Sequence, residues 1–328
     1  MRVAVLAAAM ATVLYADAQA VAQSVEIKEW PVPYGGRPRD PYVDGQNRVW
    51  FVGQAGNYIA YLDPQSGEFR KYEIEEGTHP HNLIVDDEGM VWYAGNRNGR
   101  IGRLDPASGE VKAFMMPDPA VRDPHTLVFD SKGDIWFTAQ QSNHIGKLTR
   151  STGEIQLIEV PTPEARPYGI RIDSQDRPWI VLFNTNKLAM VDPATMKLTE
   201  HALPRETTRP RRLAITSDDR IWYVDYRDGY LGRFDPGTGD VKEWPAPAGA
   251  ESRPYAMEVG PDDRLWFFET GIAPNRLVGF DPKSEKFVSQ TEISGERNTV
   301  RHMVYHEPTQ AIWFGTDTEN IGRARIGS

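Results

Sequence analysis

Apolar residues in this chain come in short bursts rather than in helical stripes. Residues 82–86, 90–94, 100–104 and 111–115 are four such bursts, each bounded by turn formers, and this is the pattern of β-strands joined by tight turns. The pattern repeats. Trp50, Trp92, Trp136, Trp179, Trp222, Trp266 and Trp313 follow one another at intervals of 42, 44, 43, 43, 44 and 47 residues. Twelve residues before each of the first six stands a proline (Pro38, Pro80, Pro124, Pro167, Pro210, Pro254), and Val300 takes that place in the seventh copy after a one-residue insertion. A third marker follows the tryptophans, where Asp63-Pro64, Asp105-Pro106, Asp192-Pro193, Asp235-Pro236 and Asp281-Pro282 open turns.

A fixed period with four strands in each copy predicts an all-β fold, a seven-bladed β-propeller of four antiparallel strands per blade. The repeated tryptophan is expected to be core packing between blades. The last copy stops after its third strand, at 320–326, while residues 24–33 read as an orphan fourth strand similar to 241–247. Docking the first segment onto the last blade would complete it and leave no open sheet edge. The expected layout is a signal peptide over 1–22 and a single propeller domain over 23–328.

The signal peptide is read from Met1-Arg2, the apolar run 3–15 and the small residues Ala16, Ala18, Ala20 and Ala22, with cleavage expected after Ala22. It predicts a periplasmic or secreted protein, since the apolar run is shorter than the roughly 20 residues that span a bilayer. With no cysteine, the exported chain has neither a disulfide framework nor a thiol nucleophile. A net charge of −9 argues against nucleic acid or anionic membrane as a partner. The protein is expected to act as a monomer.

The first strand of each propeller blade lines the central channel. The residue after each marker proline begins that strand, so Arg39, His81, His125, Tyr168, Arg211, Tyr255 and Arg301 are expected to form one ring, every member polar or ionisable. Arg37, His79, Asp123, Arg166, Arg209 and Arg253 precede the prolines, so one rim of an acidic protein carries seven arginines. Guanidinium groups bind carboxylate, sulfate and phosphate through two-point contacts, which points to an anionic small molecule or oligosaccharide. Arg39, Arg211, Tyr255 and Arg301 are the candidate substrate-binding residues. The competing reading is that the rim arginines lie flat and pair with Glu164, Glu206, Glu251 or Asp225.

The blade phrases DSKGDIWFTA (130–139), NHIGK (143–147) and NGRIGRL (98–104) resemble the repeated wording of the streptogramin B lyase family, over nearly the whole mature chain. That resemblance implies an essential histidine at a post-proline position, a second histidine in the preceding blade and a tyrosine in the following one. His125, His81 and Tyr168 reproduce this order and are the candidate catalytic residues. The resemblance also implies a magnesium site, whose matching positions here are Asp123 and Gln140. The trio sits in blades two to four rather than across the ring closure, and Gln140 offers a neutral oxygen where the family has an acid. The implied reaction is elimination: His125 takes a proton beside a carbonyl or carboxylate, the metal or an arginine stabilises the enolate, and a neighbouring C–O bond breaks with help from His81 or Tyr168.

Two other readings are open on the residues. One is a binding module that holds an anionic ligand or partner without turnover. The other is a metal-dependent lactonase, for which Asp225, Glu269 and Asp317 near second-strand ends would be the ligands. His144, His201 and His306 fall outside the ring, with surface roles expected. No nucleophile elbow, zinc-protease motif, phosphate loop or EF-hand loop occurs.

Overall fold

The computed structural model describes residues 24–296 and 298–327, so the expected signal peptide lies outside the described residues. Twenty-eight strands form seven four-stranded antiparallel sheets among them, arranged as the blades of a propeller. The first six blades each use four consecutive strands, as in Pro80–Val85, Val91–Gly95, Arg100–Leu104 and Val111–Met115. The seventh combines Met303–His306, Ala311–Gly315 and Asn320–Arg325 with Glu26–Pro31 from the other end of the chain. Glu26 faces Arg325 and Pro31 faces Asn320 in that closing ladder. The orphan strand therefore completes the last blade.

The core lies between blades, and the repeated tryptophans are its largest buried side chains. Their indole N–H groups explain a second regularity. An aspartate six residues earlier, in the turn between the first and second strands, accepts the indole proton: Trp50 to Asp44 at 2.7 Å, Trp92 to Asp86 at 2.8 Å, Trp136 to Asp130 at 3.1 Å and Trp179 to Asp173 at 2.9 Å. The same carboxylate caps the turn, as when Asp44 accepts from the amides of Gln46 and Arg48. One acid thus satisfies a buried donor and a turn backbone together. An aromatic ring from the outer strand stacks on several of these tryptophans, including Tyr72 on Trp50, Trp244 on Trp222 and, at the closure, Trp30 on Trp313 at 5.5 Å.

The Ile-Gly phrases have a packing cause. A Cβ at Gly146 would overlap the Phe137 ring, and Gly102, Gly232 and Gly322 make the same room for Tyr93, Tyr223 and Phe314. Glycine on the third strand lets an aromatic side chain of the second lie flat across it.

Candidate functional site

Each of the first six blades carries a register shift in its first strand just after the marker proline. Side chains alternate faces along a regular strand, and a bulge breaks that alternation. In these blades two successive residues can therefore face the channel. The first set is the expected ring. The second set, which alternation alone would have turned away, includes Asp40, Asn82, Thr126 and Arg212, and His302 of blade seven joins them, all buried.

These five close the channel below the ring. Asp40 accepts from Arg39 Nε at 3.0 Å and Asn82 Nδ2 at 3.3 Å, and lies 3.7 Å from Arg212 Nη2 across the channel. Arg212 also donates to Thr126 Oγ1 at 2.9 Å and to the Arg301 carbonyl at 3.1 Å. Burial opposes the charge on Arg212 and holds it below the usual arginine range even with Asp40 beside it. His302 is held well below the usual histidine range by burial and by Arg212, Arg171 and Arg39.

Above this layer the ring opens into a cavity of about 390 Å³. Six arginines line it: Arg37, Arg39, Arg97, Arg166, Arg211 and Arg301. No carboxylate lines it among the described residues, and His79, His81, Gln140 and Tyr168 stand in the wall with Asn96, Gln54, Ala55 and Phe183. A larger groove of about 660 Å³ lies between the sixth and seventh blades, near Trp266 and Ile326, but carries neither histidine nor tyrosine.

Four rim residues share an unusual backbone. Arg37, His79, Arg166 and Arg253 precede prolines with φ of 63°, 46°, 56° and 41°, in the left-handed region where a side chain is strained. Asparagines of the preceding blade pin two of these turns, Asn57 accepting from the His79 amide at 2.8 Å and Asn143 from the Arg166 amide at 3.3 Å.

The expected catalytic trio is brought together as a row of tilted rings in contact. The His81 and His125 ring centroids are 3.6 Å apart, and those of His125 and Tyr168 are 4.2 Å apart. The order is informative: His81 and Tyr168 line the cavity, whereas His125 is 0 % exposed, with Nδ1 2.8 Å from Thr126 Oγ1. His125, expected as the base, thus has no surface toward a ligand in this conformation. Burial holds both imidazoles well below the usual histidine range, helped by His125, Arg39, Arg212 and Arg301 around His81 and by Arg212, Arg39 and Arg211 around His125. Both are neutral at pH 7.

Of the expected substrate-binding residues, Arg39, Arg211 and Arg301 line the cavity. Tyr255 sits just beneath it, its hydroxyl bonded to that of Tyr168. Some rim arginines are tied down, but among the described residues none pairs its guanidinium with the carboxylate of Glu164, Glu206, Glu251 or Asp225. Arg37 and Arg301 both pair with Asp317, at 2.7 and 2.9 Å, and Arg209 turns back to the carbonyls of Glu206 and Thr208. Arg209 and Arg253 do not line the cavity, while Arg97, two residues past the second strand of blade two, does.

Asp123 and Gln140, the expected metal ligands, face different ways. Gln140 lines the cavity with a buried Oε1 that has no hydrogen-bond partner. Asp123 is committed to the following turn, accepting from the Gln141 amide at 2.6 Å, the Ser142 amide at 3.1 Å and the Ser142 hydroxyl. No group of three His, Asp or Glu converges among the described residues. A hard divalent cation seeks several carboxylate and water oxygens. One occupied carboxylate and one amide beside six arginines do not fit it. The acids that a lactonase would use are equally engaged: Asp225 with Arg205 at 2.7 Å, Glu269 with Arg276 Nε at 2.7 Å, and Asp317 as above.

Comparisons place this geometry among known proteins. The model of the virginiamycin B lyase family matches residues 25–324. Among solved structures, a streptogramin B lyase superposes with a TM-score of 0.83 at 25% identity, covering 92% of this chain and 98% of that one. Virginiamycin B lyase from Staphylococcus aureus gives 0.84 at 23% identity, covering 93% and 100%. The extracellular domain of a hybrid two-component system from B. thetaiotaomicron shares the fold alone, with a TM-score of 0.70 at 15% identity over 93% of this chain and 43% of that one. No curated protein matches the chain.

Proposed function

We propose a carbon–oxygen lyase activity for this chain, which belongs to the virginiamycin B lyase family, with a carboxylated anionic substrate such as an acidic glycan. One observation carries the reading: among the described residues the cavity is walled by six arginines and no carboxylate, with the His81 imidazole and the Tyr168 phenol on the same wall. A proton beside a carboxylate becomes acidic enough to remove only when the charge building on that group is stabilised, and fixed cations in a water-poor site do this best. Arg211 and Arg301 take that role, with Arg97 and Arg166 holding further anionic groups of the substrate. The proton passes to the cavity wall at Tyr168, while neutral His81 orients the departing oxygen. His125 supports both rings from beneath. The arginine wall favours an acidic glycan over a cyclic peptide antibiotic. The sequence pattern of residues 1–22 supports work in the periplasm or outside the cell.

The test is to incubate the purified mature protein, with and without Mg²⁺, with uronate glycans and cyclic depsipeptides, and to follow the ultraviolet absorbance of newly conjugated double bonds. We expect product from a uronate glycan, lost in His81→Ala and Tyr168→Phe. Arg211→Gln is expected to weaken glycan binding about tenfold or more, the worth of one charge-assisted contact. Salt-sensitive binding without product across the panel would replace the lyase with the binding module.

A further inference from the structure

Tyr255 begins the first strand of blade six, Pro254–Val259, and is 1 % exposed. Its hydroxyl meets that of Tyr168 from blade four, which reaches the cavity. The charged groups that act on it most strongly are all cations. Arg211 of blade five holds its guanidinium carbon 3.8 Å from the Tyr255 ring centre, and also 4.1 Å from Tyr226 and 4.6 Å from Phe183. Arg301 of blade seven stands 5.7 Å away, Arg39 of blade one adds its charge from the ring, and Arg212 of blade five adds its own from the layer below. The other titratable neighbours are the phenols of Tyr168 and Tyr226, at ring distances of 6.2 and 5.8 Å. Arg39 and Arg301 share Asp317, and Arg39 and Arg212 share Asp40. Arg211 has no carboxylate in ion-pair range among the described residues, and its buried Nε has no hydrogen-bond partner.

Burial alone would raise a phenol. Here Arg211, Arg301, Arg212 and Arg39 outweigh it and bring Tyr255 down to about 7. Tyr168 moves the opposite way, raised by burial and by Tyr255. Above about 7 the pair therefore holds one proton between the two hydroxyls, and the cations favour the negative charge on the Tyr255 side.

Resting on the elimination reading above, we propose that Tyr255 is the internal base of this site, serving as counter-ion to Arg211 in the free protein and receiving the substrate's proton through Tyr168 once a substrate carboxylate has taken its place on the arginine. The exchange makes the base stronger as the substrate arrives, because the cations that stabilised the phenolate now face the ligand. In the step itself the Cα–H proton moves to the Tyr168 oxygen as the Tyr168 hydroxyl proton moves to Tyr255. The Cα–H electron pair becomes the new Cα=Cβ bond, and the Cβ–O bond breaks with its pair on the leaving oxygen. The proton then returns from Tyr255 through Tyr168 to that oxygen, which restores the phenolate. Tyr168 is the catalytic residue in this scheme and Tyr255 positions and drives its proton.

A spectroscopic pH titration of the mature protein tests this without turnover. One tyrosinate per chain is expected with a midpoint at about 7, absent from Tyr255→Phe and retained in Tyr168→Phe. Both variants lose turnover and keep glycan binding. Saturating trigalacturonate, with binding verified by calorimetry, is expected to raise the midpoint by about one unit or more. No tyrosinate below about pH 9 in the wild type, or an undiminished signal in Tyr255→Phe, overturns the proposal, as does bound trigalacturonate that leaves the midpoint in place. If trigalacturonate does not bind, the acidic-glycan reading fails, and the titration still decides the state of Tyr255.

Discussion

Asp40→Asn tests the charged layer that closes the channel. The side chain keeps its shape, and the backbone there, with φ of 47°, lies in a region that Asn adopts as readily as Asp. The change therefore isolates the charge. Asp40 is 1 % exposed and is the carboxylate shared by Arg39, at 3.0 Å, and Arg212, at 3.7 Å. Arg39 retains Asp317 at 3.7 Å, but Arg212 has no other carboxylate in ion-pair range among the described residues. Removing one partner of a buried ion pair costs about 3–5 kcal/mol, because the surviving charge stays out of water. At about 2.1 cal/mol/K per residue, a ring of roughly 300 residues unfolds with an entropy of about 0.6 kcal/mol/K, so Tm should fall by about 5–8 °C. Thermal and urea denaturation of the wild type, Asp40→Asn, Arg212→Met and the double variant would measure both the loss and the coupling. The double variant should recover part of the loss, since it removes the stranded charge. A loss under about 1 kcal/mol, as for a surface pair, or strictly additive effects would refute the reasoning.

Gly146→Ala should destabilise by about 1–3 kcal/mol, the usual cost of overpacking a filled core, because the new methyl meets the buried Phe137 ring; chemical denaturation at wild-type stability would show that the ring has room to move. Stability should also fall on acidification. His81, His125 and His302 have folded pKa values below the unfolded value, so the unfolded chain binds protons first as pH drops below about 6.5, at a cost of up to about 1.4 kcal/mol per histidine per pH unit until each folded value is reached. Urea midpoints between pH 7 and 5 should slope accordingly, less steeply in His302→Gln, and a flat profile would contradict the buried neutral state.

The blades were legible because each tryptophan and each marker proline occupies a position that the core or the channel demands in every copy. Closure was legible because Val25 to Pro31 reads like the outer strand of blade five. The ring from Arg39 to Arg301 followed from the same register. What stayed hidden was direction. A strand read by alternation sends Asp40 and Arg212 away from the channel, and the bulge that brings them in leaves no mark in composition. Asp123 occupies the expected position, yet its carboxylate turns to the Gln141 and Ser142 amides, a choice decided by local turn geometry. Arg209 and Arg253 were expected on the rim by spacing, and Arg209 instead turns to backbone carbonyls. Arg97 belongs to no ring position and reaches the cavity only because its turn leans over the mouth.

The way the last blade is built turns part of the chain into its own ligand. Glu26–Pro31 is held by a ladder to Asn320–Arg325, by the stacking of Trp30 on Trp313 and by hydrogen bonds that Glu29 accepts from Ser294 and Asn320. Such a segment binds by adding a strand to an exposed edge, the mode by which chaperones and pili complement one another. A chain truncated before Pro38 would display a vacant groove with a defined sequence preference, and a free peptide of residues 24–33 supplied in trans would be its cognate occupant. The propeller thus contains a split-protein junction, at which assembly of the ring could be made dependent on a second molecule.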